Sequence, residues 1–269
     1  MVRKFFSLSS DFGVGTPGIG IMRSVILEMC PGAEIIDLWH GIPGFEITEG
    51  AWTIESVAQL PVGYHVCVVD PGVGTERRGI IIKTKRGDYL IGPDNGLLIP
   101  ATRMLGGIVK VVEISNEKFM RKPVCPVFHG RDVFAPAAAW LSKGARIEQF
   151  GQAIDPNNLV KAPYEEGTVS DGTVSGEVIH VNHFGSVAIN IINDEFAKSG
   201  IKYKDDIEID TNVKRINTKF LKAFGEVSKG EVIVIPDDCG RIEIAVNQGR
   251  FDEKFGVKVG DKITIKKSL

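Results

Sequence analysis

An apolar run that stops abruptly at a carboxylate constrains this chain more than any other feature. Residues 64–69 read YHVCVV and are followed by Asp70, a glycine-rich loop and a second apolar run. Continuous apolar runs are typical of strands buried on both faces of a parallel sheet. Ligands of such sheets bind beyond the carboxyl ends of the strands. The sequence therefore places Asp70 at a candidate site with Arg77 and Arg78 on the same loop, although a solvated turn with a surface ion pair explains the loop alone equally well.

The first half of the chain alternates between predicted strands and predicted helices. Repeated units of this kind indicate an α/β domain with a mainly parallel central sheet. No GxGxxG motif opens a helix and no P-loop is present, which argues against a dinucleotide-binding protein or a nucleoside triphosphatase. The predicted strands cover 4–10, 33–39, 64–69, 79–84, 88–93 and 108–114, and the predicted helices cover 19–29, 46–60, 97–105 and 134–143.

The second half consists mostly of short alternating segments that follow a polar, proline-containing stretch. Alternation of apolar and polar residues favours antiparallel strands, with one helical turn predicted at 218–223. We predict an N-terminal α/β domain over 1–155, a linker over 156–170 and a smaller C-terminal antiparallel β domain over 171–269.

Composition excludes several classes of partner. A net charge of -2 gives no reason to expect nucleic acid or an anionic membrane surface. No apolar run approaches the ~18 residues of a membrane span, and the N-terminal apolar stretch is too short for a signal peptide. The four cysteines are scattered without a CxxC pair, as is typical of buried free thiols. These features predict a cytoplasmic protein.

Three carboxylates, Asp11, Asp70 and Asp94, each follow a predicted strand. If those strands are parallel, the three residues lie at one edge of the sheet. A further cluster, FHGRD at 128–132, precedes the helix predicted from 134, and we interpret its Asp132 as a helix N-cap. His129 is harder to assign to a structural role. A set of aspartate, arginine and histidine side chains also fits a metal site. The chain lacks HxH, HExxH and paired-aspartate motifs, however, so we predict no metal site.

Five motifs occur in order along the chain and together resemble one family. They are SDFG at 10–13, VDPGVGTERR at 69–78, GPDNG at 92–96, FHGRD at 128–132 and IAVNQG at 244–249. The chain resembles the S-adenosyl-L-methionine (SAM) hydrolases, or SAM hydroxide adenosyltransferases, which are related to the fluorinase and chlorinase. The resemblance covers essentially the whole chain. It implies a homotrimer in which SAM binds between the N-terminal domain of one subunit and the C-terminal domain of the next.

The resemblance also implies roles for residues of the first domain. The family's water-activating triad falls on Asp70, Arg77 and His129. Halogenases carry a tyrosine at the position of Asp70, so this residue favours water over halide as the nucleophile. Asp11 matches the carboxylate that binds the ribose hydroxyls, and Phe45 matches an aromatic wall of the substrate pocket.

In the second domain the chain departs from the family pattern. The segment VNHFGS at 181–186 stands where the family usually has Asp-x-Phe-Gly-Asn, so that Phe184 is kept while two polar residues differ. Asn182 replaces an aspartate that holds the methionine amino group, and Ser186 replaces an asparagine near the adenine. Asn247 lies in the segment that meets the adenine. Because charge-assisted hydrogen bonds are about twice as strong as neutral ones, the loss at Asn182 predicts weaker binding of the methionine end.

These residues predict hydrolysis of SAM to adenosine and L-methionine without a cofactor, SAM being the substrate. Arg77 beside Asp70 predicts a lowered pKa for that carboxyl, which would leave it an orienting group and a weak base. Two alternatives stay open: a halogenase-like 5′-halo-adenosine synthase, and a SAM- or adenosine-binding protein with little turnover. Detection of adenosine after incubation with SAM separates an enzyme from a binding protein.

Overall fold

A seven-stranded mixed sheet forms the first half of the chain in the computed structural model, which describes residues 4–268. Its spatial order is β2-β1-β3-β5-β4-β6-β7. The first four strands in that order are parallel, which confirms the predicted parallel core. The other three pair antiparallel. For β4 and β5 the reason is the connection of residues 85–88, which is too short for the crossover that a parallel pair needs. The strands are β1 (Phe5–Ser10), β2 (Glu34–Trp39), β3 (Tyr64–Val68), β4 (Gly79–Thr84), β5 (Tyr89–Pro93), β6 (Ile108–Glu113) and β7 (Ala153–Ile154).

In the described part of the first half, four α-helices accompany this sheet and pack as two pairs, α1 with α4 and α2 with α3. The helices are α1 (Pro17–Met29), α2 (Ile47–Glu55), α3 (Ile99–Met104) and α4 (Ala135–Ser142). Helix α1 begins at a proline, whose fixed φ and missing N–H suit a first helical position. Its buried residues Met22 and Ile26 join Phe6 and Leu8 of β1 in the main apolar cluster of this half. Every residue of β1 is buried, as expected of a strand covered on both faces.

An antiparallel sheet of eight strands forms the second half, as predicted. The order β12-β11-β15-β9-β10-β14-β13 is extended by β8 pairing with β9, and the edges approach one another where the amide of Leu221 donates to the carbonyl of Val234 at 2.9 Å. The strands are β8 (Thr168–Ser170), β9 (Thr173–Val181), β10 (Val187–Ile192), β11 (Asp206–Asp210), β12 (Arg215–Lys219), β13 (Val232–Pro236), β14 (Arg241–Val246) and β15 (Lys262–Lys267).

The helical turn predicted at 218–223 is wrong. Residues 218 and 219 end β12, where exposed and half-buried side chains alternate with the period of a strand. The α-helices described in this half are instead α5 (Asn193–Ala197) and α6 (Phe251–Phe255), and each buries one phenylalanine, Phe196 and Phe251. Both were missed because five residues are too few to show a helical period.

The chain divides into two compact units, Met1–Pro163 and Tyr164–Leu269, each with its own apolar core. We call them the first and the second unit. None of the helices within residues 4–268 is long and apolar enough to cross a lipid bilayer.

Candidate active site

The parallel strands β1, β3 and β5 bring three carboxylates to one edge of the sheet, as their positions in the sequence predicted. Their environments differ. Asp11 and Asp70 line one cavity of about 280 Å³. Asp94 is buried and is bound by Arg78 and by the backbone amide of Val160 at 3.1 Å. Asp94 therefore anchors the chain between 158 and 161 and takes no part in the cavity.

Arg77 joins the two other members of the predicted triad. Its Nε donates to Asp70 Oδ1 at 3.0 Å, and one terminal nitrogen contacts the second oxygen of that carboxylate. The same terminal nitrogen lies 3.0 Å from Nδ1 of His129. The guanidinium also lies 5.5 Å from the centre of the Phe134 ring, which holds it by a cation–π contact. The side chains of Arg77 and Asp70 are only 8% and 4% exposed, so the pair is a buried ion pair and the surface-turn interpretation of this loop is wrong.

A glycine allows the loop of Asp70 to reach the segment that carries His129. Gly74 has φ 77, in the left-handed region, and an added Cβ would lie 2.6 Å from the carbonyl oxygen of Pro126. A side chain at this position would therefore separate the two segments. The triad is assembled by this close backbone approach, between residues that are 52 positions apart.

The prediction that Asp132 is a helix N-cap is wrong. Residues Gly130–Phe134 form a single π-helical turn before α4, and Asp132 is buried within it. Its carboxylate accepts from the amide of Cys125 at 2.8 Å and from Arg131 Nε at 2.7 Å. Asp132 thus closes the loop on which His129 stands, and these contacts lower its pKa against the opposing effect of burial.

The direction of the Asp70 pKa also corrects the prediction. Burial raises the pKa of Asp70 above its ordinary value, and the charge and hydrogen bonds of Arg77 only partly oppose this. Burial also disfavours the charged form of His129 and so lowers its pKa, and the charge of Arg77 lowers it further. Near neutral pH the imidazole is therefore uncharged. Because a guanidinium can only donate, Nδ1 of His129 must accept, which leaves the ring proton on Nε2.

Asp11 and Phe45, predicted to bind substrate, lie together in the same cavity as Asp70 and His129. Oδ2 of Asp11 accepts from the backbone amide of Phe45 at 2.9 Å. Phe45 has φ 67, a left-handed conformation unusual for a bulky residue, and its side chain is 73% exposed. The structure thus brings together five of the predicted site residues: Asp11, Phe45, Asp70, Arg77 behind the cavity wall, and His129.

The four site residues predicted in the second half line a separate cavity of about 680 Å³ in the second unit. They are Asn182, Phe184, Ser186 and Asn247. Asn182 Oδ1 accepts from the amides of Phe184 and Ser186, at 2.9 and 3.0 Å, so Asn182 closes its own turn and keeps only its Nδ2 donors for other partners. Asn247 Nδ2 donates to the carbonyl of Val227 at 2.8 Å, which leaves its oxygen and its second N–H.

Two further residues of this cavity were missed from the sequence. Glu243 lies on β14 between buried Ile242 and Ile244, and Phe224 is exposed at the cavity wall. A carboxylate within an otherwise apolar strand was the available signal for Glu243, because such a residue is rarely placed there without a partner or a function.

A second Ser-His-Asp arrangement occurs within the first unit. Ser7 Oγ lies 2.8 Å from His65 Nδ1, and His65 Nε2 lies 3.1 Å from Asp88 Oδ1. All three residues are at most 1% exposed, and Arg86 pairs with Asp88. No substrate reaches this cluster, which is structural. Residues 4–268 contain no group of three or more histidine, cysteine, aspartate or glutamate side chains that could hold a metal ion.

Comparison with known proteins extends over both units. The SAM hydroxide adenosyltransferase N-terminal domain matches residues 6–151, and the C-terminal domain of the same family matches residues 176–264. An (R)-S-adenosyl-L-methionine hydrolase of Salinispora tropica is 35% identical over 262 residues, covering 97% of each chain. A fluorinase of an Actinoplanes species is 24% identical over 287 residues, covering 96% of each chain.

A solved structure is similar in both fold and sequence. The crystal structure of an uncharacterised conserved protein of Thermotoga maritima superposes with a TM-score of 0.90 at 34% identity, over 97% of this chain and 100% of that one. The chain therefore belongs to the SAM hydroxide adenosyltransferase family, a family of (R)-SAM hydrolases related to the fluorinases.

Proposed function

We propose that this member of the SAM hydroxide adenosyltransferase family cleaves SAM with water at C5′ to give adenosine and L-methionine. The observation that carries this proposal is the buried Asp70–Arg77–His129 cluster, which opens onto one cavity together with Asp11. Asp70 supports water over halide as the nucleophile, since it stands where halogenases carry a tyrosine.

The substrate supplies much of the reactivity. A sulfonium activates C5′, and methionine leaves as a neutral thioether that needs no acid. As the oxygen of water forms its bond to C5′, the C–S bond breaks and its electron pair stays on sulfur. The protein has to hold one water in line with that bond and accept its proton. In-line positioning of this kind can supply several kcal/mol of a barrier.

We assign the proton to Asp70 and the orientation of the water to His129. The neutral ring of His129 carries its proton on Nε2 and presents it as a donor, while Arg77 occupies Nδ1. An ionised Asp70 accepts a hydrogen bond from the water. Because burial raises the pKa of this carboxyl, Asp70 is a better base than an exposed aspartate. Arg77 fixes both groups through bonds that do not involve the substrate.

The other site residues are assigned to binding. Asp11 binds the ribose hydroxyls and Phe45 covers the nucleoside, consistent with their positions in one cavity. Asn182, Phe184, Ser186 and Asn247 bind the adenine and methionine ends, consistent with their shared cavity in the second unit. We further propose a homotrimer in which the first unit of one subunit and the second unit of its neighbour complete each site.

The decisive experiment incubates the purified protein with SAM in heavy-oxygen water and analyses the nucleoside by mass spectrometry. Adenosine carrying the heavy oxygen at C5′ is expected, with no halogenated product when chloride or fluoride is added. A 5′-halo-adenosine would establish the halogenase alternative. Retained SAM binding without any nucleoside product would instead establish a binding protein.

The assembly is tested by mixing two inactive variants. Asp70→Ala removes the triad in the first unit, and Asn247→Ala changes the second unit. If sites form across subunits, exchange between the two variants should restore part of the activity, and light scattering should give the mass of a trimer. A fully active monomer contradicts this assembly without affecting the assignment of the reaction.

A further inference from the structure

Glu243 is a carboxyl group in the wall of the second-unit cavity, and neither the motifs nor the family resemblance assigns it a role. It lies in the middle of β14, which is paired on both sides, opposite Ala188 of β10 and Ile235 of β13. A residue in the centre of a sheet is held more rigidly than one on a loop. Glu243 thus offers a fixed polar group at a defined place in the cavity.

The surroundings of Glu243 shift its ionisation toward the neutral acid. Burial raises the pKa of the carboxyl, and the negative charge of Asp238 raises it further. A hydrogen bond from the Ser186 hydroxyl and the nearby His180 act in the opposite direction. Arg250, the cation in the same wall, is bound to Asp252 at 2.6 Å, to Glu253 at 2.8 Å and to the carbonyl of His183 at 2.9 Å.

The hydrogen-bonding capacity of this cavity is unevenly distributed. Asn182 has its oxygen occupied by two backbone amides, and Asn247 has its nitrogen bound to a carbonyl. Asn182 therefore presents donors only, while Asn247 keeps its oxygen and the one N–H that does not bind Val227. A neutral carboxylic acid has one O–H donor and keeps acceptor capacity on its other oxygen. On the rigid strand β14, Glu243 consequently supplies an adjacent donor and acceptor of the kind that Asn182 cannot present.

Adenine presents the complementary pair on one edge, an acceptor at N7 and a donor at N6. Asparagine and glutamine recognise this edge through two hydrogen bonds, and a carboxylic acid has the same pattern in the same planar geometry. Phe184 and Phe224, 74% and 42% exposed in the same cavity, provide aromatic faces on which a base can stack.

We propose that Glu243 binds N6 and N7 of the adenine in its neutral acid form, beside the Ser186 hydroxyl, and so selects an adenine nucleoside. This assignment rests on the proposed function, because it takes the nucleoside of SAM as the ligand of the cavity. It explains how the site tolerates a serine where relatives carry an amide near the adenine. The amide's donor and acceptor are then supplied from the neighbouring strand.

The first test compares nucleosides by calorimetry on the intact protein. Adenosine should bind about tenfold more tightly than 7-deazaadenosine, which lacks the N7 acceptor, and than inosine, which has an acceptor in place of the N6 donor. E243L should lose most of this discrimination. Gln248→Ala is the matched control, since Gln248 lies exposed in the same cavity wall, and it should keep the discrimination. Equal discrimination in E243L and the parent protein would overturn the proposal.

The second test uses pH and an isosteric amide. In the parent protein adenosine affinity should fall as pH rises through the pKa of Glu243, because the carboxylate loses its donor to N7. E243Q should show the low-pH affinity of the parent at every pH. Asp238→Asn should move the midpoint to lower pH, since Asp238 raises the pKa of Glu243.

Two results of this second test would contradict the role proposed for Glu243. An unchanged pH dependence in E243Q would assign the titration to another group, and an E243Q affinity as low as that of E243L would show that the cavity needs a negative charge. Release of adenosine from SAM by the parent protein is measured in parallel. If the Glu243 variants bind adenosine as the parent protein does while adenosine is still released from SAM, the role of Glu243 is wrong and the proposed function stands.

Discussion

The two cavities differ in how their polar groups are committed. In the first unit Asp70, Arg77 and His129 are bound to one another and nearly buried, and Asp11 holds the backbone at Phe45. The cavity of the second unit is larger, about 680 Å³ against about 280 Å³. Its residues Asn182, Glu243 and Asn247 each keep part of their hydrogen-bonding capacity. Charge fixed before the substrate arrives suits stabilisation of a reacting centre, whereas uncommitted donors and acceptors suit recognition.

The contrast leads to a division of effects. Substitutions in the Asp70–Arg77–His129 cluster should change the rate of the chemical step, while those in the second cavity should change affinity and leave the rate of bound substrate nearly unaltered.

The largest effect is expected for Asp70→Asn. The amide cannot accept the proton of water, so turnover should fall on the order of 10²- to 10⁴-fold, the usual range for loss of a general base. SAM affinity should change by less than about threefold, because Asp70 is not assigned to hold the substrate. Steady-state kinetics and calorimetry measure the two effects. Glu76→Gln, on the exposed part of the same loop, is the control and should leave both turnover and affinity unchanged. A wild-type rate in Asp70→Asn would show that Asp70 is not the base.

The pH dependence of turnover should show an acid limb only. Asp70 acts as a carboxylate and its pKa is raised, so activity is lost as pH falls through that pKa. His129 acts as the neutral ring, and protonation removes its acceptor for Arg77, so activity is also lost as pH falls through its lowered pKa. Two protonations predict a slope approaching two. His129→Gln keeps an acceptor without titrating, and its weaker activity should fall with a slope of one; equal slopes would remove His129 from the titration.

Asn182→Asp should act on affinity alone. The new carboxylate keeps the acceptor that closes the turn and exchanges the Nδ2 donors for a second acceptor with a charge. SAM should bind about tenfold more tightly and adenosine with unchanged affinity, since only SAM carries an ammonium group. Asn212→Asp adds the same charge elsewhere on the second unit and should change neither. Equal tightening of both ligands would show that Asn182 faces the nucleoside instead.

The smallest effect concerns backbone strain beside the first cavity. Phe45→Gly and Phe45→Ala remove the same aromatic wall and should weaken nucleoside binding equally. They should differ in stability, because only glycine adopts φ 67 without cost. Phe45→Gly should be more stable than Phe45→Ala by about 1 kcal/mol in thermal or urea unfolding, reversing the usual order of these residues in regular structure. Identical unfolding curves would show that the backbone at residue 45 leaves the left-handed conformation when the side chain is changed.

Local pattern was sufficient for most of the strands, though not for β7, β8 and β12, and for the carboxylates that follow the parallel strands. Buried runs ending at Asp11 and Asp70 predicted parallel strands with their carboxyl ends at one edge, and the register of β1 and β3 confirms this. Local pattern predicted the wrong role for Asp132. A carboxylate just before a helix has the same local signature whether it caps the helix or, as here, binds Cys125 and Arg131 inside a π-helical turn.

Electrostatics was the part that residue order could not predict. The proximity of Arg77 to Asp70 was readable from the loop, but the degree of burial was not, and burial raises the pKa by more than the arginine lowers it. Glu243 was overlooked for a related reason. The carboxylate between Ile242 and Ile244 was a signal of a special position, but only the folded sheet shows that it lines a cavity beside Ser186.

The sequence by itself determined the parallel core, the antiparallel second half and the candidate site residues, because strand periodicity and motif spacing are properties of neighbouring residues. Tertiary structure alone decided which carboxylates share a cavity, which one is tied up by Arg78 and which proton each group holds. Those properties depend on how much water remains around each charge, and that is fixed only when segments distant in the chain, such as those of Gly74 and Pro126, come into contact.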